Sequence, residues 1–344
     1  MTTTAASIPT IDFSPFLEDL GVVVNEGPTK EQLEVAKSID HASREHGFIY
    51  IQNFGLTPAL YQEAFEASAS LFDMKDKTKL SRLNPQTNMG YAPFQSESSN
   101  RSRPAELKEA FNVRFPPARC NDLTGCPEGY ASVVDRLQAA LKDAARRYAM
   151  ACALALGLPT TFFSSTLEVF DQSTVRMLHY PPCDFEATSE QVDKPIRIGE
   201  HTDFGAFTFL LLGEHGAEGL QFKPVQGGEV GGLAGGETEG WQDVVVTGGG
   251  EQQSSTTVGA IVNTGALMAR WTNDEWRATA HRVIVSDETM ASRHRYSIAF
   301  FVDPDKQSMV EVHDKFTHNG TEPKKYAPIS SLDYLTEKLQ SMIL

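Results

Sequence analysis

Cysteine, cationic charge and long apolar runs are all in short supply in this chain of 344 residues, and each shortage excludes something. The four cysteines, Cys120, Cys126, Cys152 and Cys183, are too few for a disulfide scaffold and lack zinc-ligand spacing. A reduced, cytoplasmic setting is the simplest expectation. Lysine and arginine number 30 against 45 aspartates and glutamates, a formal net charge of −15. Nucleic acid or an anionic membrane would demand a basic surface, so neither is expected as a partner. No apolar run approaches the roughly 20 residues of a membrane-spanning helix. Met1–Thr10 has neither the basic residues nor the apolar stretch of a signal peptide. What is present is the composition of an ordinary globular protein, long enough to bury a sizeable core.

Ile8–Phe13 reads as an entering strand, and Thr29 with Gln32 as a capping box for a helix running to His46, where Gly47 supplies the stop. A strand over Phe48–Ile51 and a helix over Pro58–Met74 follow. The segment 84–103 is rich in Asn, Gln, Ser, Gly and Pro and reads as a surface loop. A long alanine-rich helix covers Ala131–Leu156 and stops at Gly157-Leu158-Pro159. From Thr174 onward the texture changes to short apolar runs separated by turn residues, the pattern of an antiparallel sandwich or barrel. Two glycine-rich stretches, 226–240 and 247–257, read as extended loops and not as a phosphate cradle, because neither has a strand-turn-helix context. Ser331 is placed to cap a final amphipathic helix with Leu332, Leu335, Leu339 and Met342 on one face. The expected fold class is mainly β with flanking helices, in one domain over 1–344. It comprises an N-terminal α/β region (1–120), a supporting helix (125–160), a β core (170–303) and a C-terminal helix (329–343).

The chemistry lies in His201-Thr202-Asp203, answered downstream by His281 and by Arg295-Tyr296-Ser297. Residues i and i+2 of a strand share a face. One imidazole and one carboxylate so placed, joined by a second imidazole, make a facial triad with open positions, which suits non-haem Fe(II) and oxygen. A bare His-x-Asp is as readily a surface pair sharing a hydrogen bond; the ordered set is what favours a metal. Arg295 and Ser297 likewise share a face, and a guanidinium fork with a hydroxyl beside it can hold the far carboxylate of a dicarboxylate co-substrate. A salt bridge at a barrel mouth is the alternative for Arg295. By parity Ala299 and Phe301 point the same way as Arg295. Tyr180 can donate its hydroxyl to a co-substrate or simply pack in the core. His179 and His294 have the opposite parity to Tyr180 and Arg295 and should point away. His41, His46, His215, His313 and His318 read as solvated or structural.

These motifs resemble the iron(II)- and 2-oxoglutarate-dependent dioxygenases of the isopenicillin N synthase-like family, closest in texture to microbial thymine hydroxylase-like members. The resemblance runs from Ile8–Phe13, Gly47-Phe48-Ile49-Tyr50 and Gly90-Tyr91 to Leu178-His179-Tyr180-Pro181-Pro182 and Gly199–Gly205. It continues through Gly219-Leu220-Gln221 and His281-Arg282-Val283 to Arg295–Phe301. It implies a double-stranded β-helix, or jelly-roll, core framed by helices. It further implies Fe(II) on His201, Asp203 and His281, and 2-oxoglutarate on Arg295, Ser297 and Tyr180. O2 is the oxidant, ascorbate a possible reductant, and a monomer the family default. The implied reaction is oxidation of an unactivated C–H bond of a small metabolite, with release of succinate and CO2. Hydroxylation is the default outcome; desaturation or oxidative cyclisation in specialised metabolism stays open. Phe301, by strand parity, and Tyr91, Phe204 and Arg114, by position, are the candidate substrate contacts.

Three departures stand out. Asp203 and His281 lie 78 positions apart, an interval lengthened by the glycine-rich stretches. Ala266 follows Gly265 where the family commonly has aspartate, which puts a turn contact in question. Leu178 stands where many plant members have asparagine, implying one fewer polar contact to the co-substrate. The sequence leaves two rival readings: an oxidase of the same fold that dispenses with 2-oxoglutarate, and a non-catalytic metal- or small-molecule-binding protein.

Overall fold

The computed structural model describes residues 6–17, 27–84, 87–98, 105–115, 122–185, 195–224, 240–246, 258–318 and 320–343. Two sheets face each other across a cavity. The smaller is built from β1 (Ala6–Ile8), β7 (Ile196–His201), β9 (Leu220–Phe222), β10 (Gln242–Val246) and β12 (His281–Ile284), in the order β1-β10-β9-β12-β7. The larger has the order β2-β3-β11-β8-β13-β6-β5-β4. Its strands are β2 (Thr10–Asp12), β3 (Phe48–Gln52), β4 (Gly90–Ala92), β5 (Glu109–Arg114), β6 (Thr174–Tyr180), β8 (Phe207–Leu212), β11 (Gly259–Thr264) and β13 (Arg295–Val302). This is the jelly-roll arrangement implied by the motifs. Among the described residues no helix is long and apolar enough to cross a membrane.

Alternation along the large sheet separates two environments. Val175, Met177, Ile298, Phe300, Phe209 and Leu211 face outward into the main core, where the helices cover them. Those helices are α1 (Lys30–Glu45), α2 (Pro58–Phe72) and α3 (Tyr130–Ala155). Helix α3 lays Leu137, Leu141, Ala145, Tyr148 and Cys152 on the sheet, each no more than 3 % exposed. Tyr148 meets Phe207 and Phe209 edge-on at 5.0 and 5.5 Å. Each such ring contributes about 1.5–3 kcal/mol by burial. The inward face meets the small sheet: Phe48, Tyr50, Leu212 and Ile261 pack on Ile8, Leu220, Phe222, Val244 and Val283, closing one end of the sandwich.

The capping box is present. Thr29 Oγ1 accepts from the Gln32 N–H (3.2 Å), and Gln32 Oε1 accepts from the Thr29 N–H (3.0 Å). The stop at Gly47 has a positive φ of 69°, and a Cβ there would lie 2.6 Å from the Arg277 carbonyl, so glycine is needed twice over.

Two expectations are corrected. The stretch read as a loop over 84–103 contains β4, buried and paired with β5, a strand that the polar composition around it concealed. The helix α4 (Ser331–Ile343) is capped by Ser330, whose Oγ accepts from the Asp333 N–H at 3.0 Å. Ser331 instead turns inward, donating to the Pro304 carbonyl at 2.9 Å and accepting from Gln172 at 2.8 Å. Leu332 is 39 % exposed, while Leu335 and Leu339 reach the cavity. The glycine-rich stretches, 226–239 and 247–257, lie outside the described residues.

Candidate active site

His201 ends β7 and His281 begins β12, and the two are register partners in neighbouring antiparallel strands. Their rings lie 4.2 Å apart. Asp203 follows as the chain leaves β7, with Oδ1 3.6 Å from His201 Nε2 and 3.8 Å from His281 Nε2. The three candidate ligand atoms all lie within 4.8 Å of one another, and no other such group occurs among the described residues.

Neighbouring groups fix each ligand. His201 Nδ1 faces the Gly199 carbonyl at 2.8 Å and His281 Nδ1 the Thr279 carbonyl at 3.1 Å. Both acceptors demand a proton on Nδ1, which leaves each Nε2 lone pair for a metal. Asp203 Oδ2 accepts from Thr208 Oγ1 and Asn263 Nδ2, both at 2.6 Å, so Oδ1 is the oxygen turned to the imidazoles. Burial, and then the neighbouring His281, push the His201 imidazole down to about 4, so it is neutral and ready to ligate at neutral pH. Burial alone would raise the Asp203 carboxyl, but the two imidazoles and its two hydrogen-bond donors outweigh it and hold the group below the usual range.

The turn after β11 holds this loop by backbone alone. Ala266 N–H donates to the Asp203 carbonyl (2.8 Å) and Leu267 N–H to that of Phe204 (3.0 Å). A Cβ at Gly265 would sit 2.2 Å from the Gly205 carbonyl, so the approach requires glycine. Ala266 therefore makes its contact without the carboxylate common in the family.

Along β13, Arg295, Ser297, Ala299 and Phe301 all line a cavity of about 530 Å³ that also takes in the three metal-ligand candidates. Arg295 is 3 % exposed and Ser297 0 %. Nε, Nη1 and Nη2 of Arg295 and Oγ of Ser297 are buried without a hydrogen-bond partner among the described residues. The guanidinium lies 4.9 Å over the Tyr180 ring, and Leu178 is the register partner of Ser297. His179 faces the other side of the sheet, with Nδ1 2.8 Å from Glu109 and its ring stacked on Tyr296 at 4.6 Å. His294 joins it there, ring to ring at 5.1 Å.

Phe301, Phe204 and Arg114 line the cavity. Tyr91 is a correction: its strand parity turns it into the main core, where it is 6 % exposed and its hydroxyl donates to Glu109. The sequence reading missed a polar wall opposite the small sheet. There Arg176 pairs with Glu97, Lys108 pairs with Glu106, and Glu106 accepts from the Gly199 N–H at 2.8 Å. It also missed Asp303, which lines the cavity and is 6 % exposed. Parity held the signal: Arg176 shares the face of Leu178 and Tyr180, and Asp303 that of Arg295 and Phe301.

The donor set fits Fe(II) and a dicarboxylate. Two imidazole nitrogens and one carboxylate oxygen converge with room beside them, and a guanidinium with a hydroxyl on the same wall has four buried polar atoms awaiting an acceptor. The 2OG-Fe(II) oxygenase superfamily profile matches residues 172–304, and the profile for the non-haem dioxygenase in morphine synthesis N-terminal region matches 8–128. A homoarginine-6-hydroxylase of Oryza sativa subsp. japonica is 23% identical, covering 97% of this chain and 96% of that protein. The 2-oxoglutarate-dependent dioxygenase citB of Monascus ruber is 27% identical over 92% and 90%. The crystal structure of the full-length Neurospora crassa thymine-7-hydroxylase with α-ketoglutarate and 5-formyluracil superposes with a TM-score of 0.75 at 28% identity, covering 97% of this chain and 96% of that one. The chain belongs to the 2-oxoglutarate- and iron(II)-dependent oxygenases.

Proposed function

We propose that His201, Asp203 and His281 hold Fe(II), that Arg295, Ser297 and Tyr180 receive the distal carboxylate of 2-oxoglutarate, and that the rest of the cavity admits a small metabolite. The whole chain then works as a single dioxygenase domain. The observation that carries this reading is the buried, unpartnered Arg295 fork and Ser297 hydroxyl on the wall of the cavity that contains the triad. A buried cation without an acceptor costs several kcal/mol, and a carboxylate ligand removes that cost. When bound, the iron and its oxo-acid supply the oxidising power for a C–H bond, and O2 is reduced as the oxo-acid loses CO2.

The chain's own residues do the positioning. Thr208 and Asn263 hold Asp203 with one oxygen toward the imidazoles. Gly199 and Thr279 hold the ring tautomers. Phe204, Phe301, Leu335 and Leu339 supply apolar surface that keeps water from the reacting carbon, while Arg176, Glu97 and Asp303 offer polar contacts to the substrate. A cavity of this size suits a small metabolite, such as those of specialised metabolism. Hydroxylation is the default outcome.

The test is anaerobic addition of Fe(II) and 2-oxoglutarate, reading the visible metal-to-ligand charge-transfer band. A band is expected that Asp203→Ala abolishes and that, in Arg295→Ala, needs at least about tenfold more 2-oxoglutarate. Iron binding without a band would move the assignment to an oxidase in which Arg295 holds the substrate's own carboxylate; no iron binding would remove the metal site.

A further inference from the structure

Arg197 is a second buried guanidinium beside the co-substrate end, and neither the triad nor the Arg295–Ser297 pair uses it. It stands on β7 four positions before His201 and is 1 % exposed. Its guanidinium lies 5.7 Å from the centre of the Tyr180 ring, the same ring that carries Arg295 at 4.9 Å. Nη2 donates to the carbonyls of Met290 (3.0 Å) and Arg293 (3.3 Å), at the end of the short helix Glu288–Ala291 and the turn into β13. Nε is buried without a partner among the described residues. Among the described residues neither Arg197 nor Arg295 has a carboxylate within ion-pair distance.

The two carbonyls explain a donor at this position but not a charge, since a neutral amide would satisfy them. Burial, and then the proximity of Arg295, push the Arg197 guanidinium below its usual range, as expected of like charges brought together in a poorly solvated place. Two buried cations flanking one ring, with no carboxylate of the described residues in ion-pair contact and Glu218 acting on Arg197 only from farther off, call for an anion from outside.

We infer that Arg197 is a positioning residue whose charge, acting across Tyr180, adds to that of Arg295 in selecting a 2-oxo acid with a distal carboxylate over one without. The inference rests on the reading that Arg295 and Ser297 receive that carboxylate. Arg197 also holds the turn that delivers Arg295, so a purely structural role would weaken the dicarboxylate selectively too, but it predicts near wild-type binding in Arg197→Gln, whose amide still reaches the two carbonyls. A charge role predicts that the dicarboxylate is weakened in Arg197→Gln although those hydrogen bonds are kept.

The experiment uses the full chain loaded anaerobically with Fe(II). Dissociation constants are read from the charge-transfer band for 2-oxoglutarate, and by competition against it for 2-oxopentanoate, which has the same chelating end and a methyl group in place of the carboxylate. Arg197→Gln is expected to weaken 2-oxoglutarate about tenfold while 2-oxopentanoate changes less than about twofold, the scale of one charge acting at this range inside a protein. Arg197→Lys, which keeps the charge, is expected to recover 2-oxoglutarate to within about threefold of wild type. Should the glutamine variant not fold, Arg197→Met fills similar volume without charge and carries the same expectation.

Equal weakening of both acids, unchanged 2-oxoglutarate affinity without the charge, or no recovery by lysine overturns the inference. Arg295→Gln is the reference. If it leaves the preference for the dicarboxylate intact, the underlying site reading fails. If it erases the preference while Arg197→Gln does not, only the role of Arg197 fails.

Discussion

The two oxygens of Asp203 are divided between tasks, Oδ2 to Thr208 and Asn263 and Oδ1 to the imidazoles, and a second buried carboxyl nearby is treated in the opposite way. Among the described residues Asp303 has no side-chain donor to match those of Asp203. Burial pushes its carboxyl up to about 7, with Arg114 opposing and Asp203 adding to the rise. The unfolded chain ionises this group near 3.8. Below that pH both states are protonated and nothing is gained or lost. Between 3.8 and about 7 the unfolded state releases a proton that the folded state keeps, so stability falls as pH rises, and the loss is complete above about 7. One unit corresponds to about 1.4 kcal/mol, so the loss reaches roughly 4 kcal/mol. Asp303→Asn should therefore stabilise the iron-free protein against urea more at pH 8 than at pH 5. A difference that is the same at both values would mean that Asp303 is ionised throughout. Strand parity made Phe301 legible from sequence at this scale. It did not place Asp303, which stands one residue past the end of β13, nor Tyr91, because β4 was hidden among polar residues.

Elements with a clear period were legible: α1 with its capping box, α3 with its alanine-rich face, and the apolar strands from Thr174 onward. β5 was not, since Glu109 and Asn112 interrupt its apolar pattern. Both are buried: Glu109 pairs with Lys77 and His179, and Asn112 Nδ2 donates to Asn88, partners that only the fold brings near. Helix α4 was legible as amphipathic but not as part of the site. Tyr334 is buried, the adjoining Ser331 is pinned to Pro304, and Leu335 and Leu339 face the cavity. This makes the helix a wall between the reacting centre and water. Replacing Leu335 and Leu339 together by serine should leave the anaerobic charge-transfer band intact and raise 2-oxoglutarate decarboxylation in the absence of substrate by roughly threefold or more, because water and oxygen then reach the centre unchecked. Succinate release measured without substrate checks this; an unchanged rate would show that the wall lies elsewhere.

At the scale of the whole molecule, β2 to β5, all within the first 115 residues, complete the sheet that bears Arg295, while β1 joins the small sheet. β5 pairs with β6 from Glu109↔His179 to Arg114↔Thr174, and β3 pairs with β11. No local pattern announces such long-range pairing, whereas the ligand motifs, being local, announce themselves. The unusual interval between Asp203 and His281 has a topological address. β9 and β10 are antiparallel neighbours, with Phe222 opposite Gln242 and Gln221 opposite Asp243. The intervening stretch thus leaves and re-enters at adjacent points of the small sheet. On the re-entering side Trp241 is already held by Arg282, whose guanidinium lies 4.2 Å over its ring. A connection between such points can be shortened without moving either strand, and a shorter loop costs less entropy to close, by about 1 kcal/mol here. Deleting residues 225–239, so that Pro224 joins Gly240, should therefore leave iron affinity unchanged and the melting temperature equal or slightly higher. The site hangs on β7, β12 and the loop pinned by Gly265, and all of these lie outside the deleted residues. Weakened iron binding in a deletion variant that still melts cooperatively would instead make that stretch a working part of the site.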